Sequence, residues 1–517
     1  MHELRALWHY FGESYWPMKN GAGLYRPLII FGYALQWAVG GGAPWVFHLV
    51  NVLLNAAVAV AVFWMLGYLA PTRVAWLAAA LFAVHPVHVE AVANVVGQAE
   101  LWAALVILSA TTLYLRDRRQ GVLRRETGVI IVALFLFGIF TKEHVIVLPA
   151  LLAAAEVLLF ADAPLLQRLR RLRLLLWPMV IIAAGYLYLR IQVLGDLAGD
   201  VPHPSLMRQG VLERAFIMLN VIPEYARLML MPVRLFADYS PRQLEVYNAP
   251  HPSQVAGLLL LVSTAGLFVL TVRRQPAVAL AIAWFAILVA PVSNVLIPTG
   301  ILLAERTLYL PSAGAMLALA VGLDALHARL RHHTPRTRYA VPVLCGAALV
   351  GGLARSSARN GFWHDSDTAF AQMVEEAPLN FKAHYAYGGQ LFTHRKNREA
   401  ELEWRIAIAL MPNYHGVYMD LAHKYREAHL CEVALPLYRQ AVQVEPDLPI
   451  AYVSIAACQL ELAQYRAART TARVAIADGF YKKAFRFIIE RADSALVATD
   501  SLDPTIAPKW LPRTDRQ

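Results

Sequence analysis

Ten runs of mostly apolar residues follow one another from residue 46 to residue 354, and they set the class of this protein. The runs lie near 46–69, 74–90, 98–115, 127–141, 145–162, 174–194, 253–272, 276–292, 309–328 and 338–354. Only 16% of the residues are charged, whereas about a quarter is usual in soluble domains. Because lipid offers the backbone no hydrogen-bond partner, each span must be a helix. The first part of the chain is therefore predicted to be an all-α, polytopic membrane bundle of about ten spans.

Arginine residues are concentrated in four short loops between the apolar runs, and they indicate the orientation. The loops contain Arg116, Arg118, Arg119, Arg124 and Arg125; Arg168, Arg170, Arg171 and Arg173; Arg273 and Arg274; and Arg329, Arg331, Arg336 and Arg338. Short loops rich in arginine stay in the cytoplasm, so topology explains the net charge of +11 and no nucleic-acid partner is expected. All four loops are cytoplasmic only if residues 195–252 stay outside. The same alternation of the ten spans places residues 1–45 and the chain after residue 355 outside.

The outer stretch 195–252 contains one more apolar piece, at 213–236, which also carries five charged residues. An amphipathic segment of this kind is expected to lie along the membrane surface and not to cross it. No cleavable signal peptide is predicted, because residues 1–21 contain no apolar core of the required kind.

A repeat of 34 residues appears after residue 355, where the composition becomes more polar. Pro378, Pro412 and Pro446 are spaced by this period, which is that of tetratricopeptide repeats. The other repeat positions hold Ala400 and Trp404, Ala434 and Tyr438, and Ala468 and Ala472, with the small residues Gly388 and Ala422 where two helices touch. Such repeats stack into an α-solenoid whose concave face binds a peptide or a protein. A spacer that binds nothing is the alternative.

The sequence thus predicts three parts. Residues 1–355 form the membrane domain, and residues 356–480 form the repeats (378–412, 412–446 and 446–480, after a half repeat). Residues 481–517 form a capping helix and a polar tail. The three cysteines, Cys345, Cys431 and Cys458, are too few to indicate a disulfide framework.

Several segments on the predicted outer side are polar where a simple anchor would be apolar. Arg26 precedes the first span, and His48, Asn51 and Asn55 share one face of that span because they are three and four residues apart. Polar side chains within a span often mark a substrate path. Hydrogen bonding between helices explains them equally well, and the sequence leaves both explanations open.

Two histidines and a carboxylate, His85, His88 and Glu90, have the chemistry of metal ligands. Pro86 interrupts the helical spacing between them, and no other ligand cluster is evident, so no metal site is expected. Further polar groups follow at Lys142-Glu143-His144, at Asp238 within 236–241, and at Glu305-Arg306.

Arg306 stands next to an apolar run, at or near the predicted outer interface. A charge at that depth is costly unless it is paired. A planar guanidinium fits two oxygens of a phosphate group, so a lipid phosphate is a plausible partner. The alternative is that Arg306 only reaches up to the headgroups.

Seven pieces, in this order along nearly the whole chain, resemble the transmembrane and tetratricopeptide-repeat O-mannosyltransferases, in a bacterial form. They are Tyr25-Arg26-Pro27-Leu28, Trp45 with His48-Leu49-Val50-Asn51, His85 to Val92, Lys142-Glu143, Asp238-Tyr239-Ser240, Ala304-Glu305-Arg306 with Leu308 to Ser312, and Trp363 before the repeats. No single piece is decisive, but their shared order with repeats attached is specific.

The resemblance implies a GT-C membrane glycosyltransferase. Such enzymes move a sugar, here mannose or another hexose, from a polyprenyl-phosphate donor to a protein acceptor, without a firmly implied cofactor or divalent metal. Arg306 and Lys142 would hold the donor phosphate, and the repeats would hold the acceptor. The pocket would contain Arg26, His48, Asn51, His85, His88, Glu90, Glu143, Asp238 and Glu305. The expected location is the bacterial inner membrane, with the repeats on the periplasmic side.

The chain departs from the family pattern at its beginning. Relatives start with an extra span and an acidic outer loop, whose carboxylate serves as general base, and this chain is expected to lack both. Weak substitutes are Glu13 and Glu90, and after them Glu3. A non-catalytic, membrane-anchored scaffold for periplasmic protein interactions is therefore the alternative function. A transporter is less consistent, because no internal symmetry of broken spans is evident.

Overall fold

The computed structural model of the protein describes residues 7–15, 23–195, 203–239, 243–331, 337–475 and 482–499. Within these ranges every regular element is a helix, which confirms the predicted all-α class. The polar tail from 500 onward and the candidate base Glu3 lie outside the described residues. The chain divides into two compact units, which meet at Asp365 and Ser366.

The described part of the first unit contains fourteen α-helices. They are α1 (Pro27–Gly40), α2 (Pro44–Gly67), α3 (Thr72–Ala83), α4 (Val89–Ala93), α5 (Gln98–Arg119), α6 (Arg125–Ile139), α7 (Leu148–Leu159), α8 (Leu165–Leu194), α9 (Val211–Met218), α10 (Ile222–Leu230), α11 (Pro252–Arg274), α12 (Pro276–Val289), α13 (Pro311–Leu330) and α14 (Thr337–Asn360). Short 3₁₀ turns connect several of them, among them Pro86–His88, Val95–Gly97, Glu143–Val147 and Glu305–Leu308.

Six helices of the described chain are long and apolar enough to cross a membrane: α2, α5, α8, α11, α13 and α14. A seventh span results if α3 and the segment Pro86–Ala93, which are bent by 50° at their break, are counted as one. The other three predicted spans are the shorter helices α6, α7 and α12, of 12 to 15 residues. Helix α1 was not predicted; it is apolar and has 14 residues.

Proline is the first residue of five α-helices in the described part of this unit, at Pro27, Pro44, Pro252, Pro276 and Pro311. Proline fits there because the first residues of a helix have no intrahelical partner for their N–H groups, and its fixed φ already suits a helix. Helix α12 begins in this way at Pro276, two residues after α11 ends at Arg274.

The described parts of the arginine-rich loops lie at one end of the bundle, where Arg119, Phe160 and Gln275 line one cavity. The described polar segments of the predicted outer side lie at the other end, which we call the site end. At the arginine-rich end, Arg118 donates two hydrogen bonds to Glu156 and one to Asp162, at 2.8–2.9 Å. Arg73 binds Asp324 there with both nitrogens, at 2.8 and 3.0 Å. These pairs join helices that are distant in sequence, α5 to α7 and α3 to α13.

The predicted amphipathic segment is helical. Helices α9 and α10 are joined by the 3₁₀ turn Leu219–Val221. Ile217, Tyr225 and Leu228 are buried on one side, whereas Leu212 and Leu230 are exposed. Exposed apolar side chains beside a buried face are typical of helices in the membrane interface, and that location remains a prediction.

The second unit consists of paired helices. They are α15 (Ser366–Glu376), α16 (Phe381–Thr393), α17 (Asn397–Leu410), α18 (His415–Glu427), α19 (Cys431–Val444), α20 (Pro449–Glu461), α21 (Tyr465–Ala475) and α22 (Lys482–Thr499). The pairs that begin at Phe381, His415 and Pro449 start 34 residues apart. Trp404, Ala434 and the other residues of the repeat pattern are buried where the helices touch, which agrees with the predicted period.

One disulfide bond lies in the second unit, between Cys431 of α19 and Cys458 of α20. The sequence did not predict it, because three cysteines in one chain give no spacing pattern to interpret. Helix pairing brings the two residues together from positions 27 residues apart.

Candidate functional site

The site end is organised by a break between α3 and α5. Pro86 begins a 3₁₀ turn, the short helix α4 follows, and a second turn ends at Gly97. Gly97 is required in this fold because a Cβ atom there would lie 2.1 Å from the carbonyl oxygen of Ala91. The polar side chains of the break, His85, His88 and Glu90, are buried inside the bundle.

Buried amides hold this break in place. The Asn51 side chain of α2 donates to the carbonyl oxygens of Val92 and Asn94, at 3.1 and 3.2 Å. Its oxygen accepts a hydrogen bond of 2.9 Å from Gln98, which in turn bonds Gln36 of α1. Asn51 is fully buried, so the structure places it in hydrogen bonds between segments and not on an open surface.

Glu90 and Arg306 form the central ion pair of the site. The backbone N–H of Arg306 donates to Glu90 Oε2 at 2.8 Å, and the Arg306 guanidinium pairs with Glu90 Oε1. The Glu90 side chain is 3% exposed and that of Arg306 is 33% exposed. The carboxylate of Glu90 raises the pKa of Arg306. Arg306 is thus held charged, with about a third of its side chain exposed.

The neighbouring carboxyl group, Glu305, has a different environment. Its Oε1 accepts hydrogen bonds from the Phe236 backbone at 2.6 Å and from the Tyr239 hydroxyl at 2.9 Å. Burial, and after it the charge of Glu90, raises the pKa of Glu305 to about 8. At neutral pH Glu305 is therefore mostly protonated and adds little negative charge to that of Glu90.

A second charged cluster involves Arg26 and the turn after α6. Arg26 donates to both carboxylate oxygens of Glu143, at 2.7 and 3.1 Å, and Lys142 pairs with Glu100. Although burial opposes ionisation of Glu143, Arg26 holds the pKa of Glu143 well below its usual range. Burial lowers the pKa of Lys142, and the charge of Glu100 opposes this shift.

The two histidines of the break are engaged with protein groups. His88 Nε2 lies 2.8 Å from Ser312 Oγ, and the Ser312 hydroxyl donates to the carbonyl oxygen of Tyr309. His85 Nε2 lies 3.3 Å from the carbonyl oxygen of Met229. Both rings are buried, so they fasten the break to α13 and α10. Among the described residues, no group of three or more His, Cys, Asp or Glu side chains could hold a metal ion.

The remaining candidates lie nearer the edge of the site. His48 on α2 and Asp238 in the outer loop are half-buried. Glu13 is half-buried in the segment 7–15, which is attached to the bundle by the hydrogen bond from the Tyr25 hydroxyl to Phe11. Ser240, which belongs to one of the resembling pieces, lies outside the described residues.

Sequence reasoning assigned no role to three residues that the structure places in these clusters. Glu100 pairs with Lys142, and Tyr239 binds Glu305. Arg190, in the long span α8, is buried and its charge acts on Glu143. Arg190 had a signal in the sequence, because a lone arginine within an apolar span faces the bundle interior as a rule.

An apolar groove of about 750 Å³ lies beside the site. Tyr225 and Met229 of α10, Phe285 of α12 and Ala315 of α13 contribute to its walls. Tyr225 and Met229 also belong to the hydrophobic cluster that contains Tyr239. A charged guanidinium that is about a third exposed, a protonated carboxyl group next to it and an apolar groove nearby suit a molecule with an anionic head and a hydrocarbon tail.

No family model matches the chain. Among curated proteins it is similar to protein O-mannosyl-transferase TMTC4 of Mus musculus and of Homo sapiens, each 28% identical over 75% of the chain. It is also similar to TMTC3 of Mus musculus, 25% identical over 88% of the chain. The chain spans 57–58% of the length of these relatives. As the motifs predicted, the chain is a homologue of the transmembrane and tetratricopeptide-repeat protein O-mannosyltransferases.

Proposed function

We propose that this chain is a membrane glycosyltransferase, which passes mannose or another hexose from a polyprenyl-phosphate donor to a protein hydroxyl on the non-cytoplasmic face. The observation that carries the proposal is Arg306. The buried carboxylate of Glu90 holds the Arg306 guanidinium in place and keeps it charged, and about a third of the Arg306 side chain is still exposed. A guanidinium placed in this way can bind two oxygens of the donor phosphate. The relatives are named protein O-mannosyl-transferases, which supports the reaction class.

The donor would lie with its phosphate at Arg306 and its prenyl chain in the groove beside α10, α12 and α13. Transfer then needs the acceptor oxygen to attack C1 of the sugar while the bond from C1 to the phosphate oxygen breaks. The polyprenyl phosphate leaves with the bonding electrons, and Arg306 stabilises the negative charge that develops on it. The proton of the acceptor hydroxyl goes to a general base.

Glu13 is the better placed of the two candidate bases. Glu90 accepts two bonds from Arg306 and is 3% exposed, so it has little access to an acceptor. Glu13 is half-buried, and two residues later the ring of Tyr15 lies 5.7 Å from the Arg26 guanidinium. A carboxylate in this segment could take the proton of the acceptor hydroxyl.

The repeats are proposed to hold the protein acceptor on the same side of the membrane. Helix α14 ends at the site end, where the Ser356 hydroxyl donates to the carbonyl oxygen of Val84 at 2.9 Å. The four arginine-rich loops are all at the opposite end, which is the cytoplasmic one by the rule for basic loops. The location in a bacterial inner membrane belongs to the same proposal.

The test is sugar transfer by the purified full chain in nanodiscs, with polyprenyl-phosphate mannose as donor and a serine- and threonine-containing peptide as acceptor. Arg306→Ala is expected to reduce the rate by about 10²–10³-fold. Arg306→Lys should recover only part of the lost rate, because an ammonium lacks the planar fork of a guanidinium.

The matched control is Arg73→Ala, because the Arg73 side chain is exposed at the arginine-rich end. The transfer rate of this variant should match that of the unaltered chain. An unchanged rate for Arg306→Ala would remove Arg306 from the mechanism. A folded chain without any transfer would favour the scaffold.

A further inference from the structure

The second unit carries one covalent feature that the sugar-transfer proposal does not use. Cys431, the first residue of α19, is joined by a disulfide to Cys458 in α20, with their Cα atoms 5.2 Å apart. This separation lies within the range of about 4.4–6.8 Å for disulfides. The third cysteine, Cys345, belongs to α14 of the first unit and is free.

We propose that the bond between Cys431 and Cys458 is a permanent structural disulfide, formed in a thiol-oxidising compartment, that locks the second helix pair of the repeats to the third. Helix α19 is the last helix of the pair that begins at His415, and α20 is the first helix of the next pair. The bond therefore crosses the junction between two repeats, beside the side-chain packing and the ion pair of Arg426 with Glu461 that also join them.

The surroundings of the bond indicate a structural and not an exchangeable disulfide. Cys431 is 2% exposed and Cys458 is fully buried, and both belong to a hydrophobic cluster with Tyr438 and Ile455. Thiol exchange requires a thiolate to reach one of the sulfurs. The buried sulfurs give such a reductant no access while the repeats stay folded.

A carboxylate beside the bond opposes reduction further. Glu461 Oε2 lies 3.2 Å from the Cys431 sulfur, and Arg426 donates to the other oxygen of Glu461 at 3.2 Å. An attacking thiolate and a departing Cys431 thiolate would both be placed next to this negative charge. A like charge disfavours the ionised form, so exchange at Cys431 is slowed.

Formation of the bond balances as a thiol–disulfide exchange. The two thiols release two protons and two electrons as the sulfur–sulfur bond forms. The electrons reduce the disulfide of a partner oxidoreductase to a dithiol, through a mixed-disulfide intermediate. Oxidoreductases of this class act in the periplasm and in the endoplasmic reticulum, whereas cytosolic thiols are kept reduced.

The disulfide thus assigns the repeats to the non-cytoplasmic side, by an argument independent of the arginine-rich loops. It also does not rest on the proposed reaction, since a scaffold would need the same bond. The two proposals can therefore fail separately.

The experiment counts oxidised cysteines in the full-length protein in its membrane, in a Cys345→Ser background. Cells are quenched with acid, free thiols are blocked under denaturing conditions, disulfides are reduced, and new thiols are labelled with a polyethylene-glycol maleimide for gel analysis. The expected result is two labels after reduction and none when the reduction step is left out. A Cys345→Ser, Cys431→Ser variant serves as control, and its single Cys458 should be blocked at the first step.

Two outcomes would overturn the proposal. If the Cys345→Ser chain gains no label after reduction, both thiols were free in the cell and the repeats are not in an oxidising compartment. If the label appears only in chains denatured before the acid quench, the bond forms after lysis. A second measurement concerns stability. The chain is unfolded, reduced and refolded, and protease digestion of its repeats should then be faster than in the oxidised chain treated in the same way. An unchanged digestion rate would exclude a structural role.

Discussion

Arg26 and Arg306 show how the same side chain takes two different roles at the site end. The Arg26 guanidinium binds both oxygens of Glu143 and is 11% exposed. Arg306 is anchored by Glu90 and is 33% exposed. A bidentate ion pair leaves little capacity for a ligand, so Arg26 serves to orient Glu143. Arg306 keeps donors for a phosphate.

Glu305 gives a pH dependence that can be measured. Its folded-state pKa of about 8 exceeds the ordinary value of 4.5, so the folded protein keeps a proton that the unfolded chain releases. This contribution to stability is complete below about pH 4.5 and is lost as the pH rises through about 8. The slope in that window is about 1.4 kcal/mol per pH unit.

Replacing Glu305 by Gln should remove this dependence, because an amide keeps the acceptor oxygen for Tyr239 and cannot ionise. The melting temperature of the unaltered protein in detergent should fall between pH 5 and pH 8 relative to that of Glu305→Gln. Glu245→Gln, at an exposed position of the outer loop, is the control and should follow the unaltered protein. Parallel pH curves for Glu305→Gln and the unaltered protein would contradict a protonated Glu305.

The sequence predicted the residue types of the site better than their partners. Arg306 and Lys142 were identified from their position beside apolar runs. The partner of Arg306, Glu90, is 216 residues away, and the bend after α3 that brings it there depends on packing. No local feature of the sequence pairs Glu100 with Lys142. Pairings over such separations follow from tertiary contacts and leave no local pattern.

At the scale of elements, the sequence predicted what periodicity and lipid dictate. Every predicted span coincides with a helix or a bent helix pair, because an apolar segment in lipid has no other way to satisfy its backbone. Helix α1, of 14 residues, was not predicted. The repeat helices follow their 34-residue period because each pair must bury the same small and aromatic residues.

Gly388 tests that packing directly. A Cβ atom there would lie 2.6 Å from the buried indole of Trp404, whereas a Cβ at the adjacent Gly389 would meet no atom within 4 Å. Gly388→Ala should therefore destabilise the pair α16 and α17, by about 1–3 kcal/mol. Gly389→Ala should not, because alanine favours a helix over glycine by about 1 kcal/mol. Hydrogen exchange of peptides from α16 and α17 in the full chain measures both. Equal protection in the two variants would mean that the helices are not packed as described.

At the scale of the whole molecule, the arginine-rich loops and the candidate site lie at opposite ends of the bundle. The arginine-rich loops lie at one end, and Glu90, Arg306 and the end of α14 lie at the other. If the first end is cytoplasmic, the proposed phosphate site at Arg306 and the end of α14 face the non-cytoplasmic side. An opposite orientation would place the reaction in the cytoplasm, where a structural disulfide would not persist.

Single cysteines can report this orientation. In the Cys345→Ser background, Asn248→Cys lies in the outer loop and Gln120→Cys in an arginine-rich loop, and both positions are exposed. A membrane-impermeant maleimide applied to intact spheroplasts should label Asn248→Cys and not Gln120→Cys. After permeabilisation both should react. The Cys345→Ser parent should stay unlabelled in both cases, because Cys431 and Cys458 are bonded. Labelling of Gln120→Cys alone would mean that the orientation is the reverse of the predicted one. Arg306 would then face the cytoplasmic side. The arginine-rich loops are predicted to be cytoplasmic, and the proposed disulfide requires the repeats to be in an oxidising compartment. Both predictions hold only if the arginine-rich end is cytoplasmic and the repeats are non-cytoplasmic.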